Sequence, residues 1–205
     1  SGKQRREKAA ESHIQTATSN DECISHFCWR HFVFRYWHAP VSFICFVCFV
    51  ILQKFGIKDL PKRIPVTLVD SKSDLIKMSG YRHGNIQGYT NYEESILADK
   101  IINQDYHIYI LSNLHEEIFN AVLAHELLHV YLFQNQIDLQ SDFREGFCNL
   151  GSSLIYENYS SKLSKYRLKN MNENTDPDYG IGFRKMKSML DKIGWKKLLK
   201  KLPRL

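Results

Sequence analysis

A chain of 205 residues, 43% hydrophobic and 24% charged, can bury a sizeable core, which excludes a low-complexity or wholly disordered polypeptide. Its formal net charge of +6 gathers at the ends, with Lys3, Arg5, Arg6 and Lys8 at one and Lys196, Lys197, Lys200, Lys201 and Arg204 at the other. No basic motif interleaved with aromatics accompanies these runs, so they read as solvated ends and no nucleic-acid partner is expected.

Residues 1–22 are polar, with a single isoleucine, and are expected to form a disordered basic lead. They carry no secretory signal pattern. Residues 23–54 form a second segment, crowded with Cys, His and aromatic side chains, and four of the five cysteines lie within 23–48. That clustering is unlike an extracellular disulfide framework. It fits a metal site or a reduced compartment, and hence a cytoplasmic location. Cys28 with His31 and Cys45 with Cys48 have the spacing of the two halves of a tetrahedral structural zinc site, with Cys23 and His26 as a competing pair. The segment has two rival readings. "FVFRYWHAPVSFICFVCFVIL" (32–52) approaches the length of a bilayer span, although Arg35, His38 and Pro40 interrupt it, so a membrane anchor is the alternative location. The other is a hydrophobic helix with two buried cysteines.

Residues 55–205 read as one α+β domain, a small sheet followed by packed helices. "IPVTLVD" (64–70) and "YHIYIL" (106–111) are strands, and "GNIQGYTN" (84–91) is a turn with a short strand. A helix is expected from 114 to 134, capped by Asn113 and carrying Glu116 and Glu117 in its first turn, where the helix dipole favours acids. A second helix covers about 141–160, opened by Ser141 and Asp142. After the break at "TDPDYG", "FRKMKSMLDKIGWKKLLKKL" (183–202) is an amphipathic closing helix.

Within the first long helix, "LAHELLHVYLFQN" (123–135) sets two imidazoles and a carboxylate among apolar residues, where they are costly unless partnered. His125 and His129 are four apart, on one helix face, and so address a single point. Glu126 can approach that point without ligating. This is the H-E-x-x-H pattern of zinc peptidases, and it implies Zn2+ as the cofactor. A catalytic zinc takes three protein ligands and keeps one position open for water. Glu145, sixteen residues after His129, is the candidate third ligand, because Phe143, Gly146, Phe147 and Leu150 around it should pack inward.

H-E-x-x-H followed by Glu-Gly-Phe resembles the gluzincin metallopeptidases. "FGIKDLPKRIPVTLVD", "IQGYT", "HIYIL", "LAHELLHVYL", "REGFCNL" and "DPDYGIGFRKM" come in the order found in one particular peptidase domain. It is that of the ubiquitin-activated, LIM-domain-bearing metallopeptidases that limit organ size in plants, a domain shared by bacterial relatives. The likeness covers about residues 55–190. It implies a gluzincin-like domain that hydrolyses peptide bonds in protein or peptide substrates. His125, His129 and Glu145 would be the zinc ligands, Glu126 the general base, and Asn149 a support behind a ligand histidine, where aspartate is more usual. Tyr179 is named as the catalytic donor to the oxyanion, with His107 and Tyr109 as further candidates. "YHIYIL" is expected to be an exposed edge onto which an extended peptide adds. Residues 23–54 stand where the family has a LIM module, and would be a degenerate zinc module. Ubiquitin as a partner rests on the resemblance alone. Arg144 replaces a glutamate of the plant members, and no acidic ubiquitin-binding helix is visible. An aminopeptidase would need an acidic cluster for a free amino terminus, which is not evident. The alternative from another class is a noncatalytic or membrane-tethered interaction module retaining the fold. The intact Glu126 weighs against it, since a metal-binding scaffold needs the histidines but not the base.

Overall fold

The computed structural model describes residues 4–13, 42–58, 60–61, 63–80, 86–97 and 100–205, with backbone alone for 4–13 and 42–47. Its architecture is α+β, as the sequence implies. Four strands, β1 (Gln4–His13), β2 (Val66–Val69), β3 (Ile86–Leu97) and β4 (Lys100–Leu111), make one sheet in the order β1-β3-β4-β2. β3 and β4 form an antiparallel hairpin running from Leu97↔Lys100 to Gly88↔Ile110, while β2 lies parallel to β4. The helices are α1 (Ser42–Lys54), α2 (Lys72–Ser79), α3 (Glu116–Gln134), α4 (Ser141–Tyr159), α5 (Lys162–Glu173), α6 (Gly182–Ile193) and α7 (Trp195–Lys201). A π-turn at Pro177–Ile181 leads into α6, and a short 3-10 turn at Leu202–Arg204 follows α7.

α3 is the centre of the molecule. Every residue from Ile118 to Val130 is buried, as expected of a helix that is apolar nearly all round and packed on several sides. Ile108 and Ile110 of β4 cover it from the sheet, Cys48, Ile51 and Leu52 from α1, and Phe147, Leu150 and Ile155 from α4. The opposite face of the sheet carries a smaller cluster, Val69, Leu75, Ile86 and Tyr89, under α2.

Several expectations need correction. Gln4–His13, which the composition predicts to be a disordered lead, pairs antiparallel with β3, Lys8 opposite Asn91 and Ser12 opposite Gly88. An edge strand joins through backbone hydrogen bonds, so the lack of apolar alternation concealed it. "YHIYIL" is not an edge, because β4 lies between β3 and β2. α1 belongs to the main core, so the domain begins before residue 55. No helix among the described residues is long and apolar enough to cross a membrane. α3 is capped by His115 rather than Asn113, the imidazole Nδ1 accepting from the Glu117 N–H at 3.3 Å. The single closing helix is divided by Gly194, whose φ of +73° a side chain would resist. α2 and α5 were not anticipated.

Candidate metal centre

α3 and α4 cross closely because small residues meet at their interface. A Cβ on Gly151 would stand 2.8 Å from the Ala124 carbonyl oxygen, and Ser152 Oγ donates to the Ala121 carbonyl at 2.8 Å. The helices run antiparallel, so stepping back along α4 from Ser152 brings Asn149 beside His125, and then Glu145 beside both imidazoles.

His125 Nε2 and His129 Nε2 are 3.1 Å apart, and Glu145 Oε2 lies 3.3 Å from the first and 3.7 Å from the second. All three side chains are at most 1% exposed. Neither Glu145 oxygen accepts a hydrogen bond, although burying a carboxylate so is costly. The spacing suits a cation: ligand atoms about 2.0–2.2 Å from a tetrahedral metal are about 3.3–3.6 Å from one another. Burial by itself pushes the Glu145 carboxyl up, but the two imidazoles beside it prevail and hold it at about 2. That pull needs cationic imidazoles; with both presenting Nε2 lone pairs, the positive charge that keeps the carboxylate ionised has to be that of a bound cation.

Cys148 joins this group. Its Sγ and a ring nitrogen from each of His125 and His129 lie within 4.8 Å of one another, all buried, and these three residues could hold a metal ion. Burial, then the charges of Glu145 and Glu126, push its thiol well above the ordinary range, so without a cation it is a neutral S–H. Sequence reasoning passed over Cys148. The available signal was its place three residues after Glu145, one helical turn on.

Around this centre the supporting contacts are specific. His125 Nδ1 is 3.1 Å from Asn149 Oδ1, and Asn149 Nδ2 donates to the Tyr179 carbonyl at 3.0 Å. The π-turn is thus tied to α4 at the centre. Gly146 makes this docking feasible, because a Cβ there would collide with the Gly182 carbonyl. Glu126 is fully buried and meets β3, where Thr90 Oγ1 donates to its Oε2 at 2.7 Å. Gly88 lets the strand come this near: a Cβ there would be 2.5 Å from Val122 Cγ1 and 2.7 Å from Glu126 Oε1. Thr90 and Gly88 were also missed: "GNIQGYTN" reads locally as a turn with a short strand, and nothing in it marks these two residues as facing Glu126 or the strand as twelve residues long.

Other expected residues fall elsewhere. His107 and Tyr109 alternate with Ile108 and Ile110, so they face away from α3. His107 Nε2 pairs with Thr67 Oγ1 at 2.8 Å, and Tyr109 stacks on Tyr89 in the cluster under α2. Neither can serve as an oxyanion donor. Tyr179 is buried next to the centre, where its main chain is what meets Asn149. Arg144 turns to the preceding loop, donating to the Leu139 carbonyl at 2.7 Å beside Asp138. Of the second zinc set, Cys48 is a buried core thiol that donates to the Asn120 carbonyl at 3.4 Å. Cys28 and His31 lie outside the described residues, as does the side chain of Cys45. No family model, no curated protein and no solved structure matches this chain.

Proposed function

We propose that this protein is a zinc-dependent endopeptidase of the gluzincin kind, similar to the peptidase domain of the plant organ-size metallopeptidases. The observation that carries the reading is the meeting of His125 Nε2, His129 Nε2 and Glu145 Oε2 within 3.7 Å, in a place where the carboxylate has no hydrogen-bond donor. These three residues would hold the zinc. When bound, the metal supplies Lewis acidity toward a carbonyl and makes water acidic near neutral pH.

The chain's own residues do the rest. Glu126, adjacent to the ligands and not one of them, accepts the proton of the attacking water and returns it to the leaving amine. Asn149 orients the His125 ring. Of the three donor candidates, Tyr179 is the one left on the side of the centre. The substrate would lie along β3, the strand beside Glu126. The outer side of β3 is taken by β1, so an extended peptide would use those backbone bonds by taking the place of β1.

Cys148 favours a second reading. Two histidines, Glu145 and Cys148 all turn inward, and four protein ligands close a tetrahedral site into a structural one. Zinc content measured beside hydrolysis of an unfolded protein substrate separates the two. Glu126→Gln should keep one zinc per chain and lose activity by about 100-fold or more. His129→Ala should lose the zinc. Retained hydrolysis in Glu126→Gln would refute the base assignment. A fully loaded but inert wild type, with zinc loss in Cys148→Ser, would establish the structural reading.

A further inference from the structure

The catalytic carboxylate proposed above is held by a residue outside the helix that carries it. Thr90 is fully buried on β3, and its Oγ1 stands 2.7 Å from Glu126 Oε2 and 3.3 Å from the Glu126 carbonyl oxygen. A hydroxyl has one hydrogen to give. The 2.7 Å contact is much the shorter and lies at the usual O–H···O distance, so the carboxylate takes it.

The surroundings favour orientation over simple satisfaction. Gly88 and Thr90 share the strand face turned to α3, and the missing side chain at Gly88 lets the strand come against Glu126. Thr90 is paired to Ile108 of β4, and the threonine is β-branched with few rotamers, so the donor is delivered from a rigid position. A glutamate has three side-chain torsions, and its terminal one is soft. A base whose carboxylate turns freely spends little time aligned for proton transfer, whereas one oxygen tied down fixes the plane of both. We infer that Thr90 is a positioning residue for Glu126, engaging Oε2 so that Oε1 is presented for proton transfer. This inference rests on the peptidase reading.

The test compares Thr90→Val, which keeps the shape and loses the hydroxyl, with Thr90→Ser, which keeps the hydroxyl. Thr90→Val should retain wild-type zinc content and KM while kcat falls about 10-fold or more, and Thr90→Ser should recover most of it. Binding gives a readout that needs no turnover. A peptide hydroxamate shares its proton with the general base, so its affinity should weaken in Thr90→Val and in Glu126→Gln, with no further loss in the double variant. Unchanged kcat in Thr90→Val, a Thr90→Ser variant as slow as Thr90→Val, or additive losses of hydroxamate affinity would each overturn the role of Thr90. If the loaded wild type hydrolyses nothing, the peptidase reading fails, and the hydroxamate cycle still decides whether Thr90 acts through Glu126. A wild type that takes up no zinc overturns both.

Discussion

The side-chain amide of Asn149 can be oriented from its partners alone. Its Nδ2 donates to the Tyr179 carbonyl, which has no hydrogen to give, so Oδ1 must be the atom facing His125. That oxygen accepts from Nδ1–H and leaves the Nε2 lone pair aimed at Glu145 and His129, which is the tautomer a metal requires. An asparagine does this without adding negative charge behind the ring. Asn149→Ala should therefore weaken zinc binding about 10- to 100-fold without changing the ligand set, as read by competition with a chromophoric chelator. Affinity equal to wild type would mean that packing alone sets the ring. This part of the site was legible in the sequence, because H-E-x-x-H and the following Glu and Asn sit at helical intervals on two helices. Thr90 and Cys148 were not. Thr90 contributes through a contact 36 positions away that no local pattern encodes, and Cys148 looks like any small buried residue beside Phe147.

Among the elements, α4 and the π-turn depend on each other most closely. Gly146 lies against the Gly182 carbonyl and Gly182 against the Asp142 carbonyl, so two backbones touch where most helices hold side chains between them. Asp176 secures the start of the turn by accepting from the Asp178 and Tyr179 N–H groups, both at 2.9 Å. Gly146→Ala should push α6 and the π-turn off α4, costing about 1–3 kcal/mol and displacing the neighbouring Glu145. Thermal melts with zinc titration would show lower stability and weaker binding together. A stable variant with intact affinity would contradict the close approach. The same contact explains an error of scale in reading the sequence. "EGF" and "YGIGF" are each recognisable, but only packing shows that the glycines of one are there for the other. Helix boundaries were legible where apolar periodicity is strong, as in α3 and α4. They were lost in α2 and α5, which are short and largely polar on their outer faces.

At the scale of the whole molecule, the candidate centre joins α3, α4, the π-turn and β3. α3 supplies both imidazoles and Glu126, α4 supplies Glu145, Cys148 and Asn149, the π-turn is attached through Asn149, and β3 through Thr90. Without a cation, this junction buries a carboxylate with no donor and an imidazole, that of His129, whose Nδ1 has no hydrogen-bond partner. Such groups oppose folding. A metal that binds the native chain and not the unfolded one reverses this, stabilising by about 2.7 kcal/mol at a hundredfold excess over Kd. For a domain of this size that corresponds to a rise in Tm of about 5–10 °C. Calorimetry with and without a chelator should show that shift in the wild type and, undiminished, in Glu126→Gln, because the base does not ligate. His129→Ala should melt at one temperature in both conditions, since the chelator has nothing to remove. A wild type indifferent to the chelator while carrying zinc would place the metal away from this junction, and the convergence of α3 and α4 would then need another cause.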